Sequence, residues 1–90
     1  MKLPKTLRLV VVEWEDATHQ DDEKEAPLGT MRAYTAGFVI SNTKKELRLC
    51  AEFFEDGGRR DITCIPKLMV RDIQEIARIP VSFHASAAPE

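Results

Sequence analysis

Ile65-Pro66-Lys67-Leu68-Met69-Val70-Arg71-Asp72-Ile73-Gln74-Glu75-Ile76-Ala77-Arg78-Ile79 is the stretch on which the fold turns. Pro66 suits the first position of a helix, and Met69, Val70, Ile73, Ile76 and Ala77 recur at helical spacing with Arg71, Asp72, Gln74, Glu75 and Arg78 opposite. Periodicity alone favours a helix. The other reading makes residues 66–69 a single 3₁₀ turn and residues 70–76 a closing strand, whose bulge absorbs the three-residue spacing of Val70, Ile73 and Ile76. The residues by themselves leave both open.

Everything upstream reads as strand and turn. Residues 6–14 are rich in β-branched side chains and apolar at both parities through Val10, Val11 and Val12, the mark of a strand covered on both faces. In residues 31–41 Tyr34, Ala36, Phe38 and Ile40 share one parity, and in 45–54 Leu47, Leu49, Ala51 and Phe53 do the same. A hairpin centred on Asn42-Thr43 sets Phe38 opposite Leu47 and Ala36 opposite Leu49, so the two apolar faces coincide. A second turn on Gly57-Gly58 returns the chain as residues 60–65, with Phe53 against Ile62 and Ala51 against Cys64. The predicted core is therefore Leu9, Val11, Tyr34, Phe38, Leu47, Leu49, Phe53, Ile62 and Ile73. Cys64 faces inward and Cys50 outward, as packing residues rather than a disulfide or ligand pair.

Length and charge bound the rest. Ninety residues, 43% hydrophobic, fit one small domain over 1–80, with 81–90 a frayed tail. No apolar run approaches the roughly 20 residues of a membrane span, and no apolar stretch with a small-residue cleavage site follows Met1-Lys2-Leu3-Pro4-Lys5. A cytoplasmic protein without membrane association is the expectation. Seven acids stand against Lys24 between Glu13 and Glu25, a local balance of −6 in a total of −2, so the remainder carries about +4. Such a stretch is either a solvated, exposed loop or a surface that attracts a basic partner.

The order Val12-Glu13-Trp14-Glu15-Asp16-Ala17, an acidic loop, Ala36-Gly37-Phe38-Val39-Ile40, Leu49-Cys50-Ala51, then Ile65-Pro66-Lys67 followed by Val70 and Ile73, resembles a widespread group of small proteins encoded by bacteriophages. That group looks like the Sm-like fold. The resemblance covers about residues 7–76. It implies an all-β, five-stranded small barrel with a long acidic loop after strand 1 and a 3₁₀ turn before strand 5, which tips the C-terminal stretch to turn plus strand. It also implies a homo-oligomer, ring or dimer, in the host cytoplasm. Where many of the group carry a second tryptophan in the acidic loop, this chain offers only His19.

No catalytic constellation is legible. His19 and His84 lie far from any nucleophile at a productive spacing, and Gly57-Gly58 is a turn rather than a phosphate loop. Glu13, Glu15 and Asp16 read as solvated acids rather than a cation site, so no metal, cofactor or enzymatic activity is expected. Binding remains: Arg59 and Arg60 at a hairpin tip, Lys67 at the next turn and Arg32 at a strand start can pair phosphates, and Trp14 or Tyr34 can stack a base. The expected function is an oligomeric, non-catalytic binder of a nucleotide or short single-stranded RNA, which in a phage would sequester a host defence signal. The alternatives are an adaptor or inhibitor of a host protein acting through residues 13–25, and a structural protein of the phage particle.

Overall fold

The computed structural model describes residues 3–16 and 31–82. The acidic loop beyond Asp16, with His19, and the tail from residue 83, with His84, lie outside the described residues. Five strands, β1 (Thr6–Asp16), β2 (Met31–Asn42), β3 (Glu46–Phe53), β4 (Arg59–Pro66) and β5 (Val70–Pro80), form one antiparallel sheet in the order β4-β3-β2-β1-β5. A 3₁₀ turn, Lys67–Met69, joins β4 to β5. No helix long and apolar enough to cross a membrane occurs among the described residues.

The C-terminal stretch is turn plus strand, and the helical spacing has a specific cause. In the β1–β5 ladder Glu13 faces Asp72 while Trp14 faces Val70, so Arg71 has no counterpart; Leu9 faces Ala77 while Val10 faces Glu75, so Ile76 has none. Two bulges thus turn a two-residue period into a three-residue one. The first keeps Val70 and Ile73 packed on the core, and the second leaves Ile76 55% exposed.

The core corrects the predicted parity. Val10, Val12, Leu47, Leu49 and Ile65 form the fully buried cluster, with Trp14, Val39, Met69, Val70 and Ile73 packed around it. Leu9 and Val11 belong to the other face, with Tyr34 at 70% and Ile62 at 51% exposure, while Phe38 and Phe53 are half-buried. The reason lies in β2. Val10 pairs with Gly37, whose absent side chain lets β3 close in; a Cβ there would stand 3.0 Å from both the Leu49 Cβ and the Cys50 carbonyl oxygen. The Tyr34-Ala36-Phe38 set pairs with Glu13, Val11 and Leu9 and therefore faces away from the core.

Both hairpins are tighter or longer than their turn residues suggest. The Thr43 hydroxyl oxygen accepts the Lys45 and Glu46 amide protons, and Asn42 faces Leu47, moving Phe38 opposite Cys50. In the second, the Phe54 N–H donates to the Gly58 carbonyl at 2.8 Å, Asp56 Oδ1 takes the Gly58 N–H at 2.7 Å, and Gly57 supplies φ 91°. Phe53 therefore faces Arg59 rather than Ile62. The second shift turns Cys64 to the outer face, where it is exposed opposite Arg48; Cys50 keeps the outer face expected of it and is buried there.

Burial of β1 and β3 side chains in one cluster, with β2 between them in the sheet, requires the sheet to curl. The curl is placed by Gly37 and by a bulge at Ile40, the residue skipped between the Val39–Leu49 and Ser41–Arg48 pairs. The curl stops short of a closed barrel. The closing strand adds to β1 and not to β4, so β4 and β5 remain the two edges, joined at one end through the 3₁₀ turn. Met69 and Val70 cover the core there, so the apolar interior is filled without hydrogen bonds between the edges.

Candidate functional site

The six residues singled out for ligand binding fall into three places. Arg59 and Arg60 begin β4, and Lys67 begins the turn that follows it, seven strand steps or roughly 25 Å along the chain. Arg32, Tyr34 and Trp14 lie where the end of β1 meets the start of β2. The strand rise alone prevents one small ligand from touching all of them in a single chain.

Their partners divide them further. Arg32 is held by Glu13 at 3.1 Å and Glu15 at 3.7 Å, and Glu15 also pairs with Arg71 at 2.8 Å. This part of the acidic stretch is thus bound to the chain's own arginines, which draws Glu13 and Glu15 away from cation binding. Among the described residues no group of three metal-ligating side chains forms. Trp14 packs against the core and its indole N–H donates to the Thr35 hydroxyl at 2.9 Å, so its ring is not offered for stacking. Tyr34 is open to solvent. Arg60 pairs with Glu52 at 3.2 Å and lies 5.1 Å above the Phe54 ring, which fixes a cation and a ring at the hairpin tip.

Lys67 is different. Its Nζ donates to Asn42 Oδ1 and to the Thr43 carbonyl at 3.1 Å, while its backbone N–H donates to the Lys45 carbonyl at 2.9 Å. These acceptors are neutral, so the ammonium keeps its full charge while being held against the β2–β3 turn. That turn brings Lys44 and Lys45, both exposed and without an ion pair among the described residues. Glu46 is engaged by Arg48 at 2.9 Å and does not offset them. Lys67 is thus held against the turn that carries Lys44 and Lys45. Sequence reading missed Lys44 and Lys45 because they sit in a turn; their adjacency was the available signal, but the 3₁₀ turn that carries Lys67 to them is a tertiary fact.

Burial pushes the Cys50 thiol up, offset in part by the charge of Arg59. Arg48 is raised, first by the facing Cys64 and then by its bond to Glu46, and Glu75 is lowered by the hydrogen bonds it accepts from Arg8 and Arg78. These are surface pairs and one buried thiol. No protein-family model, curated protein or solved structure matches this chain.

Proposed function

We propose that the protein is a non-catalytic, phage-type Sm-like binding module that self-associates and holds short single-stranded RNA or a nucleotide at its lysine-bearing end. The observation that carries this reading is the docking of Lys67 against the turn that carries Lys44 and Lys45, none of the three being ion-paired among the described residues, since such charge is what phosphates require. Phosphate contacts are expected from Lys44 and Lys45, with Lys67 and Asn42 setting the turn. The arginines contribute less than their number suggests, because Arg32 and Arg60 already hold carboxylates. Support for self-association comes from the two open edges. β4 and β5 each leave one side of the backbone unpaired, and β5 adds exposed Ile76 and Ile79.

Fluorescence anisotropy with a labelled uridine oligonucleotide across a salt series tests the binding half. Charge reversal at Lys44 and Lys45 together is expected to weaken binding about tenfold or more at low salt, and to flatten the log–log salt slope by about 1.4, roughly 0.7 for each lost phosphate contact. An unchanged slope, or no binding of RNA or nucleotides at about 50 mM salt, overturns it. Light scattering tests the other half: a single-chain mass at every concentration refutes self-association.

A further inference from the structure

A cleft of about 270 Å³ is walled by Leu7, Phe38, Ile40 and Phe53, and is lined as well by buried Cys50 and exposed Arg59. The N-terminal segment helps to form it and is pinned by the Val81 N–H donating to the Lys5 carbonyl at 2.9 Å. Arg59 stands apart from every other arginine of the chain. Arg8, Arg32, Arg48, Arg60, Arg71 and Arg78 each pair with a glutamate, and among the described residues Arg59 pairs with no carboxylate. Arg59 is among the residues that line the cleft.

We propose that this cleft binds a small amphipathic carboxylate, with its aryl or branched alkyl body against Phe38 and Phe53 and its carboxylate on Arg59. Three properties of the cleft select that class. Its volume is just below the roughly 300 Å³ at which small-molecule sites begin, which suits one ring or a short branched chain. Its large side chains Leu7, Phe38, Ile40 and Phe53 offer contact to a ring or branched chain, and Thr6 and Cys50 are its polar side chains besides Arg59. The guanidinium presents paired N–H donors that match a carboxylate, and the thiol, kept neutral by burial, adds no opposing charge. The site is separate from the lysine end and does not depend on RNA binding.

Amide-resolved NMR titration of the intact chain with 3-phenylpropanoate and with its neutral amide is the test. Saturable shifts confined to residues 6–7, 38–40, 50, 53 and 59 are expected, with the acid bound about tenfold more tightly than the amide, as a charge-assisted contact implies. Arg59→Gln, at an exposed position, should erase that difference, and Arg59→Lys should restore part of it. In a Cys64→Ser background, saturating 3-phenylpropanoate should slow methyl methanethiosulfonate modification of Cys50 about threefold or more, a readout independent of chemical shift. The proposal is overturned by equal binding of acid and amide, by no saturation up to about 10 mM, or by uridine monophosphate shifting the same signals as strongly. Protein concentration alone producing the cleft shifts would also overturn it, because the occupant would then be a second copy of the chain.

Discussion

β1 and β5 run side by side from the Thr6–Pro80 pair to the Trp14–Val70 pair, yet they are different kinds of strand. β1 is hydrogen-bonded on both edges, and Val10 and Val12 have no exposed surface. β5 is bonded on one edge, buries no residue fully, and slips past β1 twice. An apolar side chain therefore carries different information in each. In β1 the neighbour decides, since the glycine opposite Val10 makes room for the layer that covers it. In β5 the bulges decide, since they return Ile73 to the core and strand Ile76 in solvent.

The largest expected effect sharpens that contrast within β5. Ile73→Asp places a charge against Val12 and the core cluster, and is expected to cost about 3 to 4 kcal/mol, enough to unfold a domain of this size. Ile76→Asp should change stability by about 0.5 kcal/mol or less. A helix would put both residues on one apolar face and make the two changes similarly damaging. Urea unfolding of the pair decides it; equal losses would break the bulged-strand account.

The next effect compares alternate residues of β1. Val12→Ala removes two buried methyl groups and leaves a cavity beside Leu47 and Leu49, for about 2 to 3 kcal/mol, whereas Val11→Ala on the outer face should cost about 1 kcal/mol or less. The reverse order, measured by denaturant midpoint at constant m-value, would restore Leu9 and Val11 as the inner set.

Much of the fold was legible from turn residues and strand composition: five strands, their approximate bounds and the 3₁₀ turn at Lys67 all follow from local chemistry or from the resemblance. Parity was not. Val10-Val11-Val12 is apolar on both sides, and a hairpin register wrong by an odd number of residues turns Cys64 out and Ile65 in. Thr43 and Asp56 set those registers through side-chain bonds to nearby amides, which the glycine and asparagine signals do not encode. The candidate site was legible as residue types and not as a place. Lys67 needed Lys44 and Lys45 brought to it, Trp14 was claimed by Thr35, and Arg59 differed from Arg60 in lacking, among the described residues, the carboxylate and ring neighbours that hold Arg60.

The smallest effect concerns what ties the exposed strand to the buried one. Glu75 Oε1 accepts from Arg8 Nε of β1 at 2.8 Å and its Oε2 from Arg78 Nε within β5 at 2.9 Å, and these bonds hold its carboxyl below the ordinary range, the Arg8 bond most of all. A carboxylate lowered in the folded state binds fewer protons than in the unfolded chain, so its contribution is complete above the unfolded value of about 4.3 and fades as pH falls through the lower folded value. Exposure to solvent and salt keeps that contribution small. Glu75→Gln should therefore lower stability slightly at neutral pH and progressively less as pH falls through the lowered folded value and the native carboxyl takes up its proton. The difference between the native and Glu75→Gln unfolding midpoints, followed from about pH 6 to pH 2 at low salt, should shrink toward zero and be reduced by added salt at the upper end. A difference that stays constant over that range would mean that Arg8 and Glu75 touch without coupling, and that the β1–β5 ladder is held by its backbone bonds, by Val70 and Ile73, and by the Arg71–Glu15 pair.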